Sequence, residues 1–209
     1  MTALRLPPTV DNTALVLIDH QVGTIEWAGE LAGEDERDQL RMWVRTVVRF
    51  AAAVGIPVVL TSSLEDQQQG RLLPDLEALA PTEYAARVQR AGVINAWDDP
   101  AFVGAVRATG RRNLLVGGLT TEVCLVPPVL SAIDDGFGVA VLLDVSAAGT
   151  RTAAANSRDA MQAAGAELLT AVPAMTRLLG SWQSEHAAAF FDAMGSEGVF
   201  AAYACGNLR

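Results

Sequence analysis

Three side chains in this sequence can do chemistry and sit at or just beyond the ends of expected strands: Asp19, Arg90 and Cys124. A thiol is a nucleophile once it loses its proton, and a nearby carboxylate can take that proton and return it to a leaving group. A guanidinium adds fixed positive charge but gives up no proton. Each of the three also has a plain reading. A free cysteine packs well as a small buried hydrophobe, an aspartate often ends a strand as a turn former or cap, and an arginine is commonly salt-bridged at the surface. His20 follows Asp19, and adjacent side chains on a strand point to opposite faces, so a site holding Asp19 excludes His20. His186 falls in a C-terminal stretch where a solvated histidine is expected. Neither histidine has a Cys or His at metal-ligand spacing, so no metal site is expected. The loop over residues 117–121 has two glycines but lacks G-x-G-x-x-G and the Walker pattern, which makes it a weak phosphate cradle. All 15 basic residues are arginine, with no lysine anywhere. That removes Schiff-base chemistry, a lysine general base and the P-loop lysine.

The elements that must hold these groups follow from the pattern of the chain. With 209 residues, 51% hydrophobic and 19% charged, it is long enough for one sizeable domain and too apolar for disorder. Twenty-four acidic against 15 basic residues give a net charge of −9, which repels phosphate backbones and argues against nucleic acid as a partner. No apolar run reaches membrane-spanning length, and Pro7 and Pro8 interrupt the N-terminus, which has no signal-peptide core; a cytoplasmic protein without a membrane partner is expected. Cys124 and Cys205 are too few for a disulfide framework and are expected as free thiols.

Apolar runs at residues 14–19, 56–61, 113–118 and 138–144 read as strands buried on both faces, with shorter strands at 87–90 and 167–170. Helical patterns cover 34–54, stopped by Gly55, then a short piece at 75–79, then 99–109, 120–135 and 152–164. Strands alternating with amphipathic helices predict a three-layer α/β/α sandwich on a mostly parallel sheet. Residues 1–180 form the domain, and 181–209 form a helical tail rich in alanine and aromatics, expected to pack on the body or on a second subunit. Ligands of such sheets bind beyond the carboxyl ends of the strands, where Asp19, Arg90 and Cys124 all lie. Cys124 is expected in the first turn of a helix, where free N–H groups and the dipole favour a thiolate and can face an oxyanion. Pro127 and Pro128 predict a kink or irregular turn just after it.

The segments Leu-Ile-Asp-His-Gln ending at Gln21, Gly-Val-Ile-Asn-Ala-Trp ending at Trp97, and Gly-Gly-Leu-Thr-Thr-Glu-Val-Cys ending at Cys124 together resemble the isochorismatase-like cysteine hydrolase superfamily, nearest its YcaC-like subgroup. The resemblance runs from about residue 11 to about residue 180. It implies a Rossmann-like sandwich and an Asp–Lys–Cys triad, with Asp19 and Cys124 in two of the places and Arg90 where the wider family has lysine. It also implies a cis peptide at Leu119–Thr120 that aims the N–H groups of Thr120 and Cys124 at one oxyanion. The nicotinamidase branch binds a metal through histidines this chain lacks, so a metal-independent enzyme without a cofactor is expected.

The resulting expectation is a homo-oligomeric hydrolase that cleaves an amide-type C–N bond of a small molecule through a thioester on Cys124. Asn95 and Trp97 are candidates for lining the substrate pocket; equally open is a loop hydrogen bond for the first and a packed aromatic for the second. The alternatives are a ligand-binding or thiol redox-sensing protein that keeps the pocket, and a Rossmann-type nucleotide-binding domain, whose glycine pattern is missing.

Overall fold

The computed structural model describes residues 7–206. Residues 1–6, part of the N-terminal segment read as lacking a signal core, and 207–209, the end of the tail, lie outside the described residues.

Six parallel strands form one sheet: β1 (Thr13–Ile18), β2 (Val58–Ser63), β3 (Val88–Arg90), β4 (Asn113–Gly118), β5 (Gly138–Leu142) and β6 (Glu167–Leu169). Their order across the sheet is β3-β2-β1-β4-β5-β6. The chain adds strands outward from β1 in one direction, then restarts at β4 and adds in the other. The switch in strand order therefore falls between β1 and β4, and in open sheets of this kind ligands bind beyond the carboxyl ends at such a switch. β1 lies inside the sheet and is buried at all six positions, which is why it is apolar from Ala14 to Ile18.

The period-two alternation of β1 divides the core. Leu15 and Leu17 join one apolar cluster with Trp43, Val44, Val47 and Val48 of α1 (Glu34–Val54) and Met175 of α7 (Ala171–Leu179). Ala14, Val16 and Ile18 join the other, with Phe102 and Val106 of α4 (Pro100–Ala108), Val129 of α5 (Val126–Asp134) and Met161 of α6 (Arg151–Ala163). The expected sandwich is thus formed. α1 begins with Glu34, Asp35 and Glu36, which suit the positive end of its dipole, and stops at Gly55 in the left-handed conformation, φ 75°. Asp99 caps α4 through the N–H of Ala101, with Pro100 in the first turn.

The structure departs from the sequence reading at several elements. Residues 74–85 form two short helices, α2 (Pro74–Leu79) and α3 (Pro81–Ala85), where one was expected. α7 was not anticipated. The expected helix over 120–135 splits into a π-helical turn, Thr121–Leu125, and α5 proper. Pro127 and Pro128 fall in the first turn of α5, where a missing N–H breaks no helical bond. The irregularity thus precedes the prolines and contains Cys124 itself.

Of the tail, residues 187–204 form α8 (Ala187–Ser196) and α9 (Val199–Ala204). Phe190, Ala193, Met194 and Val199 are buried in the α1 cluster. Among the described residues no helix is long and apolar enough to cross a membrane.

Candidate active site

The carboxyl ends of β1, β3 and β4 bring together the three groups that the sequence singled out. Asp19 follows β1, is fully buried and holds a left-handed backbone, φ 56°. That conformation is unfavourable for most side chains but tolerated by Asp, and it turns the carboxylate off the strand. The turn is fastened by its own neighbours: the Asp19 carbonyl accepts from the Gln21 N–H at 2.8 Å and from the Thr24 hydroxyl at 2.5 Å. Leu64 and Thr120, φ 46° and 52°, are the other non-glycine residues with positive φ among those described. They follow β2 and β4, so all three strained positions lie at the same carboxyl edge of the sheet.

Arg90, the last residue of β3, is also buried, and its guanidinium reaches across β2 to Asp19. Nη2 donates to Asp19 Oδ1. Nε donates to Thr61 Oγ1 at 3.1 Å, and Nη1 to the carbonyls of Val93 and Ile94. This is a paired and hydrogen-bonded buried charge, the condition under which burial is tolerated. Asp19 Oδ2, by contrast, is buried with no hydrogen-bond partner.

Cys124 is half-buried in the π-helical turn, its Sγ 3.2 Å from Thr120 Oγ1. Asp19 is close enough to act on the thiol through its charge and as an acceptor. Burial, then the Asp19 charge, push the Cys124 pKa up to about 12; Arg90 opposes them more weakly. This corrects the expectation of an acidic thiol at a helix N-terminus. The residue sits within the turn, desolvated, and its own N–H is bonded to the Thr120 carbonyl at 2.9 Å. The Leu119–Thr120 peptide is trans, as are all the described bonds, so the cis geometry implied by the resemblance is not adopted. Thr120 instead turns through its left-handed backbone, and its carbonyl faces the N–H groups of Val123 and Cys124.

Asn95 and Trp97 are held in a neighbouring loop by other work. Asn95 caps a 3-10 turn through the Trp97 N–H at 3.0 Å, and its amide donates to Asp98 and to Ser131 of α5. The Trp97 indole donates to Asp135 at 2.8 Å and packs edge-on against Phe102 and Phe137. These bonds and ring contacts match the loop and packing readings of the two side chains.

His20 is fully buried and turned away, its Nε2 2.9 Å from the Val145 carbonyl; burial lowers its pKa to about 4. Two residues had no assigned role in the sequence reading. Gln21 ties the loop after β1 to the segment after β2: its Oε1 accepts from the Ser63 N–H at 2.9 Å, and its Nε2 donates to the carbonyls of Ser63 and Gly70. Thr61 supports Arg90 from β2. Among the described residues no group of three or more His, Cys, Asp and Glu is arranged to hold a metal. A separate cavity of about 440 Å³, lined by Glu30, Trp43, Asp144, Arg151 and Arg158, contains none of the three site residues.

Comparison with known proteins bears on this arrangement directly. Residues 13–172 match the isochorismatase domain. The chain is 36% identical over 176 residues to a probable hydrolase, YcaC, of Escherichia coli, covering 84% of this chain and 81% of that one. It superposes on YcaC of Pseudomonas aeruginosa, solved with hexane-2,5-diol and covalent acrylamide, with a TM-score of 0.84 and 29% identity over 99% of this chain and 98% of that one. It also superposes on the E. coli YcaC product, an octameric hydrolase of unknown specificity, with a TM-score of 0.80 and 30% identity over 98% of each. The buried Asp19–Arg90 pair beside Cys124 therefore belongs to an isochorismatase-family hydrolase, and the chain is a member of that family in its YcaC-like subgroup.

Proposed function

We propose that the chain hydrolyses an amide-type C–N bond of a small, largely uncharged molecule, with Cys124 as nucleophile, Asp19 as proton carrier and Arg90 as a fixed cation. The observation that carries this reading is the asymmetry of Asp19: Oδ1 is taken by Arg90, Oδ2 is buried without a hydrogen-bond partner, and the carboxylate lies near enough to the Cys124 thiol to raise its pKa. A thiol with a pKa of about 12 is neutral at working pH, so its proton must leave as sulfur attacks.

Asp19 takes the Sγ proton while sulfur bonds to the carbonyl carbon. Of the two N–H groups expected to face the tetrahedral oxyanion, that of Cys124 is held by the Thr120 carbonyl, which leaves the Thr120 N–H as its donor in this reading. The C–N bond then breaks, and Asp19 gives its proton to the departing nitrogen. Water attacks the thioester as Asp19 accepts a proton from it, and that proton returns to Sγ as the acid leaves. The sum is one water added across one C–N bond. Arg90 transfers no proton in any step.

Apolar side chains exposed on the loops after β1 to β4, namely Val22, Leu64, Val93, Ile94 and Val123, favour a substrate without charge near the reacting carbonyl. The covalent acrylamide in the Pseudomonas relative is in keeping with a nucleophile in a protein of this fold. A homo-oligomer is proposed as well, since the E. coli relative is octameric and Trp182, Phe191, Phe200 and Tyr203 are exposed on the C-terminal helices. The desolvated thiol gives no support to a redox sensor, which needs thiolate character.

The test is a panel of small amides and carbamoyl compounds assayed for amine release, beside Cys124→Ser and Asp19→Asn. Turnover lost in both variants supports the reading. Turnover that survives Cys124→Ser overturns the thioester.

A further inference from the structure

We propose that Thr61 is a positioning residue for this site, fixing the guanidinium of Arg90 so that one carboxylate oxygen of Asp19 is neutralised and the other is left for the Cys124 proton. The proposal rests on the hydrolase reading above and adds a residue that no motif marks.

The argument begins with the order of the strands. Arg90 ends β3 and Asp19 follows β1, while β2 lies between them. Any bond between the two must pass over the end of β2, and Thr61 is the β2 residue beneath it. Its backbone pairs with Ile18 on one side and Val88 on the other. Its carbonyl accepts from the Asp19 N–H at 3.0 Å. Its hydroxyl donates to the Val88 carbonyl at 2.8 Å, which leaves the oxygen lone pairs facing Arg90 Nε at 3.1 Å. One buried residue thus holds both members of the ion pair, Asp19 by its backbone and Arg90 by its side chain.

The need for it follows from the chemistry of arginine. A guanidinium has a planar fork of donors, and Nε points along the stem rather than toward the end. With Nη1 on the Val93 and Ile94 carbonyls and Nη2 on Asp19, Nε is the remaining nitrogen inside the protein. An apolar side chain at position 61 would leave it buried without a partner and free the plane to rotate. An ammonium has no equivalent of Nε, so this support is specific to arginine at position 90. Because the carboxylate must keep one oxygen open, rotation of the plane matters more than loss of one bond: a guanidinium engaging both oxygens would block proton transfer.

The experiment reads the thiol itself, so it needs no substrate. The rate of Cys124 alkylation by iodoacetamide is followed against pH by peptide mass mapping, which separates Cys124 from the exposed Cys205. The parent is compared with Thr61→Val, Thr61→Ser and Asp19→Asn. We expect Thr61→Val to slow Cys124 alkylation about tenfold at neutral pH, the size set by one hydrogen bond to a charged group, and to change the shape of its pH profile. Thr61→Ser, which keeps the hydroxyl, should restore the parent profile; a role in strand packing alone would not give this pairing. If Thr61→Val does not fold, Thr61→Ala carries the same comparison. A parent-like profile in Thr61→Val overturns the proposal when Asp19→Asn alters the profile. A parent-like profile in Asp19→Asn as well would instead overturn the reading of Asp19 as the thiol's proton acceptor.

Discussion

Replacing Arg90 separates its two tasks, compensating the buried charge of Asp19 and holding that carboxylate in one orientation. Arg90→Met leaves the carboxylate buried and uncompensated, and should cost about 3–5 kcal/mol in urea unfolding at pH 7. Arg90→Lys keeps the charge and can reach Asp19 and a loop carbonyl, but it has no donor for Thr61 Oγ1. It should fold with a loss of about 1–2 kcal/mol and retain part of the Cys124 reactivity. A Lys variant as unstable as the Met variant would mean that orientation outweighs charge. Asp19, Arg90 and Cys124 were legible in the sequence because each lies at or beyond the carboxyl end of an expected strand and together they can supply a nucleophile, a proton acceptor and a fixed cation. Thr61 was not legible, because a threonine inside a strand is ordinary until the strands on both sides of it are known. Asn95 and Trp97 stay open between two readings for a related reason: a polar residue and an aromatic beside a motif look the same whether they line a pocket or pack a loop.

At the scale of elements, the boundaries set by local backbone chemistry were readable and those set by distant contacts were not. Gly55 and Asp99 mark the end of α1 and the start of α4 from within the sequence. The π-helical turn carries no such mark, and α7 takes its N-terminal support from far away: Asp144, beyond β5, accepts the Ala171 N–H at 2.9 Å with both oxygens. Burial raises the Asp144 pKa to about 6 from 3.8, so the folded state binds its proton more tightly than the unfolded chain. Its charge is therefore destabilising at neutral pH, and the penalty fades as pH falls from about 6 toward 3.8. Asp144→Asn keeps an acceptor for Ala171 and removes the charge. Thermal and urea unfolding should show it more stable than the parent by about 1–3 kcal/mol at pH 8 and equal to it near pH 4. His20 works in the opposite sense. Its pKa is lowered to about 4 from 6.5, so its contribution is complete above pH 6.5 and is lost as pH falls toward 4. The two partly cancel in the parent. In Asp144→Asn the His20 loss, about 3 kcal/mol over that range, should appear as a steeper acid limb.

At the scale of the whole molecule, the C-terminal helices raise a question of geometry that composition posed but could not answer. Aromatic content signalled that the tail must be covered, without saying by what. Half of the answer lies within the chain. Arg45 and Arg49, one turn apart on α1, both hold Glu197 at the end of α8, and Arg45 also reaches Asp75 of α2. Phe190 turns inward beneath this clasp. Glu197→Gln should therefore loosen α8 and α9, lowering stability by about 1–3 kcal/mol and admitting early proteolysis of the tail. The other half of the aromatic set faces outward. Trp182 and Phe191 lie with ring centroids 5.5 Å apart, and Phe191 stacks on Phe200 at 6.2 Å, so the exposed rings form one continuous surface. Such a surface, on a chain whose −9 charge opposes casual association, calls for a matching apolar face, and a second copy supplies one by symmetry. Phe191→Asp places a charge at its centre and is exposed enough not to disturb the core. Light scattering should show the parent as an oligomer and Phe191→Asp as a smaller species of the same fold and thermal stability within about 1 kcal/mol per chain. A variant that keeps the parent's mass would move the subunit contact elsewhere, and the apolar loops around Cys124 would then be the surface to probe next.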